Sequence, residues 1–461
     1  MTKAVGPVLV INGTSLLGNL AVEALTGAGH SVLVAAAGAG ELAWPPGVSA
    51  IDADGGTDAG WLAILAAVAA RGGGIEALVV APPSDGPSDD PDPAIATAWL
   101  GAKHALPLFR ARAAGTLLTL GFAPPRAGAS PGQNAACESI RLLTDAALHD
   151  ARVGGIALRS NRLFCAHDAD AGAIRETVLF LTDDRSRFMA GAELALDAGG
   201  QVRPAAANLS GKSILVTGAT SGIGRAIAIE IGRRGGWVAV GGRKLDLAEE
   251  TLDLVRQAGG DGCVVALDVT EPQGWAAAAA RLGDLRGELH GLVNNAGEAR
   301  NKPIEQLSEA DLAFLLGINC RGVRAGMDAM QPLLARGQGV VLNIASVAGI
   351  KAGPGGSAYS GSKAAMIGLS RGYAAAYAAA GTPIRVNTVQ PGLIWSDSVA
   401  DSLGEEGARQ FRALIEPKTP LGRVGTPDEV ATAVAFLLSD AATPISGQAI
   451  SVSGGLELGW P

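Results

Sequence analysis

The sequence predicts two doubly wound α/β domains in tandem, each a parallel sheet covered by helices, the first a degenerate copy of the second. Three observations carry this. Short apolar, β-branched runs alternate with longer helix-compatible stretches along all 461 residues. Strands that apolar must be covered on both faces, as in parallel sheets with crossover helices. The two halves also repeat one plan. "FLTDDRSRFMAGAELALDAGG" (180–200) lies over "FLLSDAATPISGQAISVSGG" (436–455), and "GTLLTLGFAPP" (115–125) over "GVVLNIASVAG" (339–349).

In the first half the predicted strands are "VLVI", "SVLVAA", "EALVVA", "TLLTLG", "IALRS" and "ELALDA". "NGTSLLGN" (12–19) follows the first, where a Rossmann-like domain keeps its glycine loop. It holds two glycines, Gly13 and Gly18, and Leu16, Leu17 and Asn19 fill space a pyrophosphate needs. It therefore reads as strand, turn and helix without a cofactor. An acidic, proline-rich loop, "PPSDGPSDDPDP", spans 82–93. The first domain is placed at 1–200, a polar linker at 201–210, and the second domain at 211–461. The second half's predicted strands are "SILVTG", "WVAVGG", "CVVALDV", "GLVNNAG", "VVLNIAS", "IRVNTVQP" and "QAISVSG".

Composition narrows the function classes. A net charge of −8 argues against nucleic-acid binding, which needs a basic footprint. No run of eighteen apolar residues predicts a membrane span, and no signal-like apolar segment follows Met1. The four cysteines are scattered, so no metal site is expected and a reducing cytoplasm is the expected compartment.

The second half carries the chemistry. "SILVTGATSGIGRAIAIEIGRRG" sets a glycine loop between a strand and a helix. Gly218 allows the tight turn, Gly222 lets the backbone approach a pyrophosphate, and Gly224 lets helix and strand pack closely. Thr220, Ser221 and Ile223 complete the loop, and the helix N-terminus offers N–H groups to phosphate. Gly242 ends the next strand, followed by Arg243. No carboxylate there can hold a ribose 2′-OH, whereas Arg243 can pair a 2′-phosphate, so NADP(H) is favoured over NAD(H). Asp268, followed by Val269, ends the third strand and can bond the adenine amino group; a turn or helix cap is its alternative role. "NNAG", with Asn295, Ala296 and Gly297, suits a ribose or nicotinamide lying across the backbone. Tyr359 and Lys363 are four apart, neighbours on one helix face. An ammonium beside a phenol favours phenolate, and Lys363 can also hold a nicotinamide ribose. Tyr359 can then protonate a carbonyl oxygen as hydride reaches carbon. Ser346 can hydrogen-bond the same oxygen. Asn319, expected mid-helix, can hold a water that links to Lys363.

Together "TGATSGIG", "NNAG", Asn319, Ser346, "YSGSK" and "VQPG" resemble the short-chain dehydrogenase/reductase family. Within it, "TPLGRVGTPDEVATAVAFLLSDAATPISGQAISVSGG" is most similar to the 3-oxoacyl-(acyl-carrier-protein) reductases, and the two-domain length to their high-molecular-weight form. The resemblance implies a catalytic tetrad of Asn319, Ser346, Tyr359 and Lys363, and nicotinamide contacts from Pro391, Gly392, Ile394 and Ser396. It implies reduction of an acyl thioester, on coenzyme A or acyl carrier protein. Arg300, Arg321, Arg324 and Arg336 are candidates to receive an acidic carrier. A dehydrogenase of another secondary alcohol (cyclic, sugar or steroid-like) is the alternative; a non-catalytic scaffold is disfavoured by the intact tetrad. Ser453 stands where the family commonly has Asp.

Laid on the second half, the first has Ala136 at the tyrosine position, Ile140 at the lysine position and Ala123 near the serine position. All three tyrosines, Tyr359, Tyr373 and Tyr377, lie in the second half. The first domain is therefore expected to be silent. Because related single-domain reductases are usually tetramers, the resemblance implies a homodimer that mimics one.

Overall fold

The computed structural model describes residues 7–458 apart from 87, 89, 91, 111, 124–130, 197–207, 301, 353–355, 397–403, 405, 408 and 411. Most of the expected linker, 201–210, lies outside the described residues. By internal contacts the chain forms two units. One is Met1–Arg203 with Pro417–Arg423 and Leu458–Pro461; the other is Pro204–Glu416 with Val424–Glu457.

The first unit has strands β1 (Val8–Ile11), β2 (Val32–Ala36), β3 (Val48–Asp52), β4 (Ala77–Val80), β5 (Ala114–Phe122), β6 (Ala157–Cys165) and β7 (Glu193–Leu196). Between them run α1 (Leu16–Gly27), α2 (Asp58–Ala70), α3 (Asp92–Arg110), α4 (Pro131–Val153) and α5 (Ala171–Thr182). The second unit has β8 (Ser213–Thr217), β9 (Trp237–Gly242), β10 (Asp261–Ala266), β11 (Gly291–Asn294), β12 (Val340–Ile344), β13 (Arg385–Pro391) and β14 (Ala449–Val452). Its helices include α6 (Gly222–Arg233), α7 (Leu245–Gln257), α8 (Pro272–Arg286), α9 (Glu309–Leu316), α10 (Val323–Arg336), α11 (Ser357–Ala379) and α12 (Pro427–Leu438).

Each unit is a seven-stranded parallel sheet, ordered β3-β2-β1-β4-β5-β6-β7 and β10-β9-β8-β11-β12-β13-β14. The two tandem Rossmann-like domains are thus one topology built twice. The central strands are buried on both faces, which is why they read as unbroken apolar runs. Trp61 and Trp275 are fully buried in their units, and each satisfies its indole by donating to a backbone carbonyl, Gly55 O at 2.9 Å and Val269 O at 3.0 Å.

The repeat is closer than the glycine count suggests. Asn12 holds a left-handed φ of 55° where Gly218 holds 62°. Each lies six residues before a glycine whose Cβ would strike its carbonyl oxygen, at 2.1 Å for Gly18 and 2.3 Å for Gly224. Asn tolerates that conformation, so the turn survives without the first glycine. This corrects the reading of Leu17 as filler of the phosphate space: it is 1% exposed, in the core.

The structure also shifts the correspondence around the reaction centre. Asn161 and Asn387 make the same bonds: Nδ2 donates to Met189 O or Ile445 O, and Oδ1 accepts from Ala192 N–H or Gln448 N–H. They pair with Leu118 and Leu342, so four residues on Phe122 takes the place of Ser346. Helices α4 and α11 end alike, with Ile156 N–H on Ala151 O and Thr382 N–H on Tyr377 O. Counting back along both helices, Gln133 takes the place of Tyr359 and Cys137 that of Lys363. The positions expected from sequence, Ala136 and Ile140, are one helical turn late.

Candidate active site

The coenzyme loop opens α6. Its turn needs bare backbone: a Cβ on Gly218 would stand 2.8 Å from Ala296 Cα, and one on Gly224 2.4 Å from Asn295 Nδ2. Gly222 is also left-handed, with φ 54°. Ser221 caps α6 in extended conformation without spending its side chain on the helix, so the first N–H groups face outward. These features fit a dinucleotide.

Neighbouring side chains fix the loop. Thr217 Oγ1 accepts from the N–H groups of Asn295 and Ala296, both at 3.0 Å. Asn295 Nδ2 donates to Thr217 O at 3.0 Å and Gly218 O at 3.1 Å. Asn294 turns the other way, into the core, and donates to Asn343 Oδ1 at 2.8 Å. The two amides therefore brace the seat, and what remains exposed to a ligand is the backbone of Ala296 and Gly297. Thr217 belongs to this machinery and is absent from the sequence-based site. Its signal is its position, as the last strand residue before the glycine.

At the adenosine end, a Cβ on Gly242 would meet Thr220 Cγ2 at 2.6 Å. Arg243 is largely exposed and pairs with Asp268 Oδ2 at 3.7 Å. Asp268 Oδ1 accepts from the Thr270 N–H at 2.9 Å and hydroxyl at 2.7 Å, which hold its carboxyl below the usual range, with Arg243 adding to the effect. The turn role offered as its alternative is thus present. Val269 is half-buried and spends its carbonyl on Trp275. At the far end Gly392 abuts Ser453, where a Cβ would lie 2.7 Å from its Cα. Ile394 bridges to Gly425. Ser396 approaches Gly222, with its Cβ 3.9 Å from where a side chain on that glycine would begin. The stretch from Pro391 to Ser396 thus returns to the mouth of the coenzyme loop.

The reacting groups converge behind it. Ser346 ends the strand side and accepts from Ala348 N–H at 3.1 Å. Its hydroxyl stands by the Tyr359 phenol and favours the ionised form of that phenol. Lys363 is 4% exposed and donates to Ile344 O at 2.8 Å, its Nζ 5.8 Å from the Tyr359 ring centre. Burial pushes the Lys363 ammonium down to about 8. Burial also raises the Tyr359 phenol, and the Ser346 hydroxyl offsets part of that. The expectation that Lys363 pulls the phenol down is corrected: its charge rests on a backbone carbonyl, and desolvation dominates at both groups.

Asn319 sits in a π-helical turn, Gly317–Gly322, between α9 and α10. Such turns recur at functional sites. Its Nδ2 donates to Glu298 O and Ser362 Oγ, both at 2.9 Å, and its Oδ1 accepts from Glu298 N–H at 3.2 Å. The side-chain amide is therefore occupied by protein. A Cβ on Gly297 would stand 3.1 Å from Asn319 Oδ1 and 3.2 Å from Lys363 Nζ, so glycine keeps the path between them clear.

The four candidate carrier-binding arginines are engaged by their own chain. Arg300 pairs with Asp311 at 2.7 Å and Arg324 with Asp328 at 3.6 Å. Arg321 and Arg336 donate to Ala313 O and Gly287 O. Among the described residues no cluster of three His, Cys, Asp or Glu could hold a metal, and no helix is long and apolar enough to cross a membrane.

Residues 218–457, about half of the chain, match the family model described as enoyl-(acyl carrier protein) reductase. The chain belongs to the short-chain dehydrogenase/reductase family. It is an NAD(P)-dependent oxidoreductase acting between alcohol and ketone groups. The chain is 35% identical over 255 residues to the 3-oxoacyl-[acyl-carrier-protein] reductase of Thermotoga maritima, covering 54% of this chain and 99% of that one. It is 38% identical over 246 residues to the cis-4-hydroxycyclohexanecarboxylate dehydrogenase of Sinomonas cyclohexanicum, covering 52% and 94%. Among solved structures it resembles L-sorbose reductase from Gluconobacter frateurii with NADPH, at 28% identity and TM-score 0.52, covering 54% and 98%. It also resembles a 7α-hydroxysteroid dehydrogenase with NADH, at 32% identity and TM-score 0.50, covering 54% and 95%.

Proposed function

We propose that this short-chain reductase converts a 3-oxoacyl thioester, on coenzyme A or acyl carrier protein, to the 3-hydroxyacyl thioester with NADPH. The observation behind the reaction type is the Ser346–Tyr359 hydroxyl pair backed by the buried Lys363. The coenzyme supplies hydride when bound. Tyr359 gives its proton to the ketone oxygen, and Ser346 donates a hydrogen bond to that oxygen as negative charge develops. Lys363, anchored on Ile344 O, directs its remaining N–H groups toward the coenzyme ribose. Asn319 holds the turn beside Gly297 and lines the proton path to Lys363. The substrate class is supported by likeness to the Thermotoga enzyme along nearly its whole length. The cyclohexane and steroid dehydrogenases support a second reading, a dehydrogenase of cyclic secondary alcohols. Steady-state rates on acetoacetyl-CoA and on a panel of cyclic and sugar ketones, each with NADH and NADPH, decide between them. The thioester is expected to give the highest kcat/KM; no detectable rate on it with either coenzyme overturns the leading reading.

The preference for NADPH rests on Arg243 beside the bare Gly242. Arg243→Glu is expected to raise the KM for NADPH at least about tenfold, the scale of one lost charge-assisted bond, and to narrow the gap to NADH. An unchanged NADPH/NADH ratio removes this assignment. We also infer a homodimer, supported by the shared seven-strand topology that lets one chain carry two family-like units; a one-chain mass by light scattering rejects it.

A further inference from the structure

We propose that the first unit binds a small uncharged molecule, an aliphatic ketone or alcohol, in a cleft at the carboxyl ends of β4 and β5. The cleft lies between α3, α4 and the carboxyl ends of β4 and β5, and one side of it is open to solvent. It opens beside the point where the strand order reverses, where open α/β sheets take ligands.

The coenzyme half of this unit is closed by its own chain. Leu16 N–H, in the first turn of α1, donates to Asp85 Oδ1 at 2.7 Å, and Ser15 Oγ accepts from Gly18 N–H. A carboxylate therefore stands where the second unit offers N–H groups to phosphate. The substrate half has lost its reacting groups but kept its space. Phe122, Gln133 and Cys137, in the places of Ser346, Tyr359 and Lys363, all line the cleft. The Cys137 thiol is turned onto Phe122 O, and burial pushes it up to about 11, so it stays neutral.

Two hydroxyls give the cleft its polarity. Thr97 and Thr119 both line it, are 1% and 2% exposed, and have buried Oγ1 atoms without a hydrogen-bond partner. Thr119 has the place of Asn343, which in the second unit is paired with Asn294; Val80 stands where Asn294 would be. Buried hydroxyls seek partners, and a ligand carbonyl or hydroxyl supplies one. Among the described lining residues there is no Lys or Arg, and Asp90 is acidic, so the cleft suits an uncharged ligand rather than an anion.

The test is saturation-transfer NMR of the full chain with octan-2-one, without coenzyme so that nothing turns over. Saturable binding is expected. Thr119→Val, which removes the hydroxyl at nearly constant shape, should weaken it about fivefold, the scale of one hydrogen bond. Ala136→Phe, which fills the cleft, should abolish it. Both variants should keep the second unit's ketone reductase rate, and thermal unfolding of the full chain unchanged from native certifies that the first unit still folds. Absence of saturable binding, or binding indifferent to both substitutions, overturns the proposal.

Discussion

Tyr359→Phe is expected to lower turnover by about 10²- to 10⁴-fold while coenzyme binding is retained, the span that a positioned general acid contributes. The ring stays, so the packing around α11 stays; only the hydroxyl beside Ser346 is lost. The raised phenol pKa means that the donor is protonated throughout the neutral range, which suits reduction. A merely structural role predicts something different: lower stability with proportionate loss of coenzyme affinity and little change in kcat. Stopped-flow measurement of hydride transfer, with coenzyme titrated by fluorescence, separates the two. Ketone reduction at the native rate would remove Tyr359 as the proton donor.

The catalytic half is legible in the sequence because its chemistry is carried by short local spacings. Tyr359 and Lys363 are four apart on α11, and the glycine loop lies between β8 and α6. All seven of that unit's strands are visible as apolar runs. In the first unit β3 escapes such a reading because "VSAID" is an edge strand with exposed and half-buried positions, so it lacks a continuous apolar signal. The length of β6 is hidden for the opposite reason. Its polar stretch Arg159–Arg162 is largely buried, with Arg159 on Asp183 O and Thr116 and Arg162 on Gly191 O and Asp145. Sequence pattern cannot distinguish such buried polar groups, most of them hydrogen-bonded, from a loop. The one-turn error in placing Gln133 and Cys137 has two parts: the units are offset by 224 residues at β5 but 226 at α4, and pairing Ala136 with Tyr359 sets 223, which misses that two-residue step and slips one residue more. A gapless overlay hides that step. What sequence does not show at all is which way an amide points, as with Asn294 into the core and Asn295 onto the coenzyme loop.

Lys363→Met is expected to abolish useful turnover and yet stabilise the fold at pH 7. The ammonium is buried, and folding moves it from 10.5 to about 8. Between those values the folded state binds fewer protons than the unfolded chain. Stability contributed by this group is therefore highest above about 10.5, falls as pH drops toward 8, and is constant below. At pH 7 the charged lysine costs on the order of 3 kcal/mol, since each tenfold loss of proton affinity corresponds to about 1.4 kcal/mol. Methionine removes that cost but forfeits the bond to Ile344 O, worth about 1 kcal/mol. The net gain is about 2 kcal/mol at pH 7, shrinks to zero near pH 10 and becomes a loss of up to about 1 kcal/mol above pH 10.5, where only the lost bond counts. Urea denaturation at both pH values measures it, and a methionine variant less stable than the native chain at pH 7 contradicts it. The same titration governs catalysis with the opposite benefit. The protonated Lys363 is the form that can donate to a ribose, so kcat/KM for the coenzyme should fall as pH rises through about 8. The site thus keeps a charge that the fold would be more stable without, and the reaction is the reason for its retention.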